Sequence, residues 1–555
     1  MFVRAKKRKN GTQAIQIVNN IRQGNKIRQK VIKHVGTAHN EEELKILLAA
    51  AHQIKEEFLF AQHPVLFTAE QLKQSEIKSS SKSTLPVDLK YIREKQRIIT
   101  GFHHIFGDLY RQIGFDKVFS CYRVSGKVIE QLVLGRIAAP LSKLATVEYI
   151  SRHFGFTFKP EQVYRAMDKI NEEKIEKIKN ITFNYTRSLF EQEITIVFYD
   201  CTTLYFESFT DDELRNFGFS KDYKHNQVQV ILALAVTREG LPLGYDLFAG
   251  NIFEGHTMKK MVETLKEKFD KSRFVMVMDA AMLSKENIEY LQKENIGFIV
   301  GARLKNLPEE IKEKILDKSA YTMHTQKEKK KGKEKSYQVG YLRTSYGGDL
   351  DLIVSYHEKR AEKDAADRQK NIERLQERWK KTRNIQSFIG NRGYKRYLKV
   401  EGESRLEIDT EKIEKDAQWD GLHGVITNLK DVEVEAILSQ YRGLWQVEES
   451  FRIHKHELSV RPVFHWTPRR IKAHIAIVYM AFSLMRYLQH KLQQAGHPIS
   501  IAKAKESLMN VQASVLSDTR NGKHYALPSH MDKNAKEIYR IFNKKYNLTP
   551  YELII

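Results

Sequence analysis

Five apolar runs between residues 194 and 301 constrain this chain more than any other feature. They occupy 194–199, 228–236, 241–248, 274–278 and 296–301. Turn-rich connections between the first three predict antiparallel pairing. Amphipathic stretches at 257–269 and 284–293 separate the third run from the fourth and the fourth from the fifth, and their period predicts helices. Strands buried on both faces read as continuous apolar runs, so the sheet should be covered by helices. The order β-β-β-α-β-α-β predicts an α/β fold. The first run ends at Asp200 and the fourth at Asp279.

Two aspartates at the ends of two buried strands would point into a crevice at the sheet edge. Carboxylates held a few ångströms apart repel, and Mg²⁺ or Mn²⁺ relieves that repulsion through hard oxygen ligands. Taken singly, either aspartate reads better as a turn or helix cap. A third acid lies on a stretch from 433 to 458 that the periodicity predicts to be one helix, weakened by about 1 kcal/mol at Gly443. Tyr441, Trp445, Glu448, Arg452 and Lys455 form one row on it, beside an apolar stripe of Leu444, Val447, Phe451 and Leu458. Such a row is either a solvated set of intrahelical ion pairs or a site built around Glu448.

The 555 residues carry a net charge of +24, a field that favours a polyanion, nucleic acid first. An anionic membrane surface is the rival, but the longest apolar run, 475–485, is shorter than the roughly 20 residues a bilayer needs. No secretory signal is legible, and Cys121 and Cys201 make neither a disulfide framework nor a zinc site, so a cytoplasmic protein is expected.

The expected divisions are a basic β-meander with a helix at 1–78, a Ser-rich linker at 79–86 and a helical DNA-binding region at 87–185. After them come the first part of an α/β core at 190–302, a β-rich insertion at 303–430, the rest of the core at 431–495 and a helical region at 496–555. Asn10-Gly11 and 23–25 are hairpin-turn signals. Lys6, Lys7, Arg8 and Lys9 around the first are either phosphate-gripping or a solvated hairpin tip. The segment 145–165 reads as a helix-turn-helix offering Arg152, Gln162 and Arg165 to a groove, or as an ordinary helical hairpin.

Asp200-Cys201-Thr202, Met278-Asp279-Ala280 and the helix carrying Tyr441, Glu448 and Lys455 together resemble the DDE transposases of the IS4 group, closest to its IS1634-like branch. The family's helix motif runs Tyr, two residues, Arg, three residues, Glu, six residues, Lys; here Leu444 stands at the arginine position. Further matches are 248–251, Trp419-Asp420-Gly421 and 461–466. The resemblance implies an RNase H-like catalytic core interrupted by a β-rich insertion domain, with a mainly helical N-terminal DNA-binding region. It further implies Asp200, Asp279 and Glu448 as ligands of two Mg²⁺ ions, Mn²⁺ substituting, and Tyr441, Lys455 and Arg452 as holders of phosphates. Trp419 or Trp445 would be a stacking platform for an extruded base, or plain core. The partners implied are double-stranded DNA, as terminal inverted repeats and as target, and a second copy in a synaptic dimer. An RNase H-like nuclease without strand transfer and an inactive DNA-binding derivative are the alternatives.

Overall fold

In the computed structural model the five apolar runs become neighbours in one sheet. The structure describes all residues except 1, 9–10, 24–25, 42, 45, 49, 52–53, 55–66, 79–86, 120–123, 192–194, 220–225, 270–273, 331–332, 382–396, 402–404, 462 and 554–555. The chain forms two units, one of residues 1–178, 456–460 and 465–555, the other of 179–455 with 461–464.

The first unit begins with the expected meander, β1 (Phe2–Lys7), β2 (Gln13–Gln23) and β3 (Lys26–Ala38), all antiparallel. Gly11 turns the first hairpin at a φ of 81°, which only glycine adopts cheaply. The turn at 24–25, the linker at 79–86 and part of the helix expected after the meander lie outside the described residues. After helix α1 (Ala69–Lys78), the first correction is β4 (Ile92–Ile99), a strand in a stretch expected to be helical. Helices α2 (Gly101–Ile113), α3 (Val124–Ala138), α4 (Lys143–Phe154) and α5 (Pro160–Met167) follow, and α6 (Glu172–Ser188) leads into the second unit.

The expected pair of helices is α4 and α5. Ser142 caps α4, Gly155 ends it at a φ of 79°, and Pro160 opens α5. A side chain at Gly155 would meet the Phe67 carbonyl at 2.2 Å, so the turn is packed as well as bent. Gln162 accepts the Lys159 N–H at 2.8 Å and is spent as a cap rather than offered to a groove. Arg152 pairs with Glu148 at 3.1 Å, and Arg165 is exposed.

Two buried histidines on α2 give the first unit a pH dependence. His103 shares a 2.9 Å hydrogen bond with Gln131, and His104 a 2.7 Å one with Tyr539. Burial lowers their pKa values from 6.5 to about 4 and about 3. The unfolded chain therefore takes up these protons first. Stability is whole above pH 6.5 and falls as pH drops toward 4, at about 1.4 kcal/mol per pH unit for each histidine. Thermal melts across that window should show the loss; a melting temperature flat from pH 7 to 4.5 contradicts it.

The second unit holds β5 (Ile196–Tyr205), β6 (Gln229–Thr237), β7 (Pro242–Ala249), helix α7 (Met258–Phe269), β8 (Val275–Met278), helix α8 (Lys285–Lys293) and β9 (Gly297–Ala302). The β-β-β-α-β-α-β order is as expected, but Asp200 lies in mid-strand, because the alternation continues through Cys201 to Tyr205. Pairing is antiparallel along β5-β6-β7 and parallel along β5-β8-β9. Val197, Tyr199, Cys201, Met276, Met278, Phe298 and Val300 share one apolar cluster with Met258, Met261 and Leu265 of α7 and with Leu291 of α8. At the edge of this unit Lys179 of α6 makes a buried ion pair with Asp246 of β7 at 3.0 Å, with Lys260 at 3.4 Å from the same carboxylate.

The stretch 303–430 is β-rich; four of its strands extend the core sheet, and two others pair only with each other in a small sheet of their own. Helix α9 (Glu309–Leu316) precedes β10 (Thr322–Lys330), β11 (Lys333–Gly347) and β12 (Leu350–His357); then follow the long helix α10 (Glu358–Lys381), β13 (Leu398–Glu401), β14 (Arg405–Ile408), helix α11 (Thr410–Ala417) and β15 (Leu422–Thr427). β15 pairs with β9 on one side and β12 on the other, giving a nine-stranded order β10-β11-β12-β15-β9-β8-β5-β6-β7. The alternation of Val425 and Ile426, both fully buried, lets β15 sit in the middle of a sheet covered on both faces.

The helix expected as one piece from 433 to 458 is three. Helix α12 (Val434–Arg442) passes through a tight turn at Gly443 and Leu444 into α13 (Trp445–Arg452), and a π-helical turn, Ile453–Glu457, follows. A Cβ at Gly443 would stand 2.5 Å from the Phe198 ring, so the glycine lets the helix turn settle on β5. Back in the first unit, α14 (Pro468–Gln494) has the length and composition to cross a membrane, yet 94% of its most apolar window is buried in the protein. It is a core helix. The segment expected to be helical after it is mixed: helix α15 (Ile501–Met509), β16 (Gln512–Asp518), β17 (His524–Pro528), helix α16 (Lys533–Ile541) and β18 (Tyr551–Leu553). Its strands join β4 in the order β18-β17-β16-β4, an alliance between distant segments that local periodicity does not reveal.

Candidate active site

The β5–β8 register sets Tyr199 beside Met278, so Asp200 and Asp279 are the next pair along these parallel strands, at an interstrand spacing of about 4.8 Å. Tyr199 and Met278 point into the cluster under α7, and side chains alternate, so both aspartates emerge on the opposite face. That face carries Phe198, against which the α12–α13 turn packs. Asp200 is half-buried and accepts the Cys201 N–H at 2.7 Å. Asp279 is exposed and accepts the Ala280 N–H at 2.7 Å, so it caps a short turn as well.

Glu448 is exposed on α13, which packs across β5 and β6. Tyr441 is half-buried at the end of α12. Its hydroxyl lies where a Cβ of Gly301 would be, 2.5 Å away, and that same Cβ would stand 3.0 Å from the Ala280 nitrogen. The phenol therefore rests on β9 next to the residue that follows Asp279. Burial raises its pKa above the ordinary tyrosine value, and the negative charges of Asp279, Glu448 and Asp200 add to the rise, in that order. All three carboxylates thus act on one hydroxyl. Among the described residues, however, no three Asp, Glu, His or Cys side chains converge closely enough to form a ready-made metal cluster. The donor set suits a hard divalent cation through its two register-matched aspartates, and Glu448 lies on the helix packed across the same strands.

The other expected site residues disperse. Arg452 donates two 2.6 Å hydrogen bonds to Glu449, so it belongs to an ion pair on its own helix. Lys455 is half-buried in the π turn, whose wider winding rotates it off the row drawn for a regular helix. Trp445 is 55% exposed, while Trp419 packs on the core cluster and lines a cleft of about 370 Å³ with Arg303, Lys305 and His423. Leu444 is buried, so a cation at that position would face the core.

Two residues escaped the sequence reading. His423 of β15 sets its ring 5.1 Å from that of Tyr441, and burial, then the charge of Arg360, holds its pKa below the usual value while Asp279 pulls it up. Gly301 is the other, an apolar-strand glycine whose missing side chain admits the Tyr441 hydroxyl. A glycine within a strand is itself a signal of close approach.

The sequence matches no curated protein. Among solved structures, the piggyBac transposase synaptic complex with hairpin DNA is similar at 11% identity and a TM-score of 0.35, covering 74% of this chain and 76% of that one. The Mos1 transposase paired-end complex with left transposon end follows at 13% identity and a TM-score of 0.14, covering 28% and 53%. A Mos1 mariner paired end complex with Mn matches at 12% identity and a TM-score of 0.15, covering 47% and 78%. The family described as Transposase DDE domain matches residues 191–484, a span that holds both aspartates, Tyr441 and Glu448. That span is more than half of the chain, which therefore belongs to the DDE transposase domain family and is a DNA transposase.

Proposed function

We propose that this transposase serves a bacterial insertion sequence of the IS4 group, in its IS1634-like branch, binding terminal inverted repeats, cleaving at the element ends and joining the freed 3′-OH to target DNA. The observation that carries the reading is the pairing of Asp200 and Asp279 at the next register position of adjacent parallel strands, with the helix that bears Glu448 packed across β5. The order β7-β6-β5-β8-β9, antiparallel then parallel, supports an RNase H-like core.

Asp200 and Asp279 would hold Mg²⁺ between adjacent strands, Glu448 completing the set, with two ions as the expected count. Bound there, the metal supplies an activated water or hydroxyl and stabilises the leaving oxygen of a phosphodiester. The protein's own part is positioning. Tyr441, kept protonated by burial and then by the acids around it, donates a hydrogen bond to a non-bridging phosphate oxygen and fixes the scissile bond. Trp419, which lines a cleft with His423, or the exposed Trp445 would stack an extruded base. Lys455 is assigned to a flanking phosphate, and α4–α5 to duplex DNA. A dimer in the joined-end complex follows from the need to handle two ends.

The test is incubation with DNA carrying the element's end, in Mg²⁺ and in Ca²⁺, resolved on a denaturing gel. Strand cleavage in Mg²⁺ alone, and joining of a pre-cut 3′-OH end to target, are expected. Cleavage without joining selects the nuclease reading. A subtler probe is Gly301→Ala: the added methyl displaces the Tyr441 hydroxyl and should cut the cleavage rate on the order of a hundredfold while end binding is kept. Wild-type rates in Gly301→Ala would remove Tyr441 from the mechanism.

A further inference from the structure

We propose that Arg360, at the start of α10, is a phosphate-binding residue of this active site, holding the backbone of the cleaved strand on the Tyr441–His423 side. The inference rests on the reading of Asp200, Asp279 and Glu448 as the cleavage acids. A site with three carboxylates repels a phosphodiester, and cations at its rim must offset that repulsion. Beside Lys455, the catalytic helix has little to give: Arg452 is tied to Glu449, and the family's arginine position is occupied by the buried Leu444.

Arg360 lies 81 residues before Tyr441 (441 − 360), and the fold fastens its helix start to the segment that carries His423. β12 pairs Ser355 with His423 and Tyr356 with Leu422, and the His357 N–H donates to the Gly421 carbonyl at 3.0 Å. From α10, Asp364 accepts the Gly421 N–H at 3.1 Å, and Arg368 makes two 2.6 Å bonds to Asp420. The helix start is thus fastened to the segment carrying His423, whose ring contacts Tyr441. The charge of Arg360 acts on both His423 and Tyr441.

Its neighbours are turned elsewhere. Glu358 accepts the Gln338 N–H at 2.7 Å, Lys359 lies over the Tyr337 ring at 5.5 Å, and Glu362 binds Lys335 at 3.1 Å. Arg360 itself approaches Asp364 only to 3.8 Å, beyond hydrogen-bond range, and its side chain is 54% exposed. With His357, Lys359, Lys363 and Asp364 it lines an open cleft of about 410 Å³. A guanidinium there can release a weak partner and take a phosphate in a two-pronged grip, which a lysine reproduces only in charge.

The experiment measures binding of end DNA in Ca²⁺ across a salt series, and nicking in Mg²⁺, for the full chain and for Arg360→Gln, Arg360→Lys and Asp279→Asn. Arg360→Gln should lower the slope of log K against log salt by about 0.9 and slow nicking roughly ten- to a hundredfold. Arg360→Lys should restore the slope and part of the rate. An unchanged slope and rate in Arg360→Gln, with Asp279→Asn inactive, overturns the proposal alone. If Asp279→Asn still nicks, the acid site itself is wrong and Arg360 loses the centre it would serve.

Discussion

Asp279→Asn should abolish Mg²⁺-dependent nicking of end DNA, a loss of about three orders of magnitude or more, with binding to the same DNA retained. The substitution is clean because the asparagine oxygen can still accept the Ala280 N–H and cap the turn that Asp279 opens. Only the charge goes. Glu448→Gln should behave alike: the residue is exposed on α13, so its neutral form costs the fold little. The two substitutions should not add, since the acids work as one unit and the first loss already removes the catalysis. Nicking within tenfold of the parent by either variant would sink the assignment.

The second large effect is on stability. Lys179→Met leaves the Asp246 carboxylate, 2% exposed, with only the more distant Lys260 beside it. Removing one partner of a buried pair costs about 3–5 kcal/mol, because the other charge stays desolvated. The second unit should therefore melt well below the parent. Replacing both partners, as Lys179→Met with Asp246→Leu, should recover much of the loss, because no unpaired charge remains. Chemical denaturation of the single and double variants checks this. A single variant as stable as the parent would mean that Lys260 alone satisfies Asp246.

Much of the catalytic unit was legible because its strands are apolar on both faces and its helices amphipathic, features that depend on near neighbours in sequence. Asp200 and Asp279 stood out for the same reason, as acids bounding apolar runs. What stayed hidden depends on distant partners. β15 reads as an isolated apolar strand of a separate module, and only its pairing with β9 shows that the module continues the core sheet. The break at Gly443 comes from the approach of Phe198, not from propensity alone. Arg452 looked like a site cation until Glu449, three residues earlier on the same helix, proved to hold it. His423 carried no motif; its position follows from strand register.

The pairing of β4 with β16 has a bearing on how the protein is made. The hydroxyl of Thr100, just after β4, donates to the carbonyl of Val511, 411 residues later. At ribosomal speeds of about 5–20 residues per second, that partner emerges roughly 20–80 seconds after β4 does. Every strand of the nine-stranded sheet is synthesised within that interval, so the catalytic unit can assemble while β4 still presents an unpaired edge. A nascent chain stalled before β16 would thus combine a finished catalytic sheet with a sticky strand awaiting its neighbour, a form that chaperones on the ribosome would have to shield.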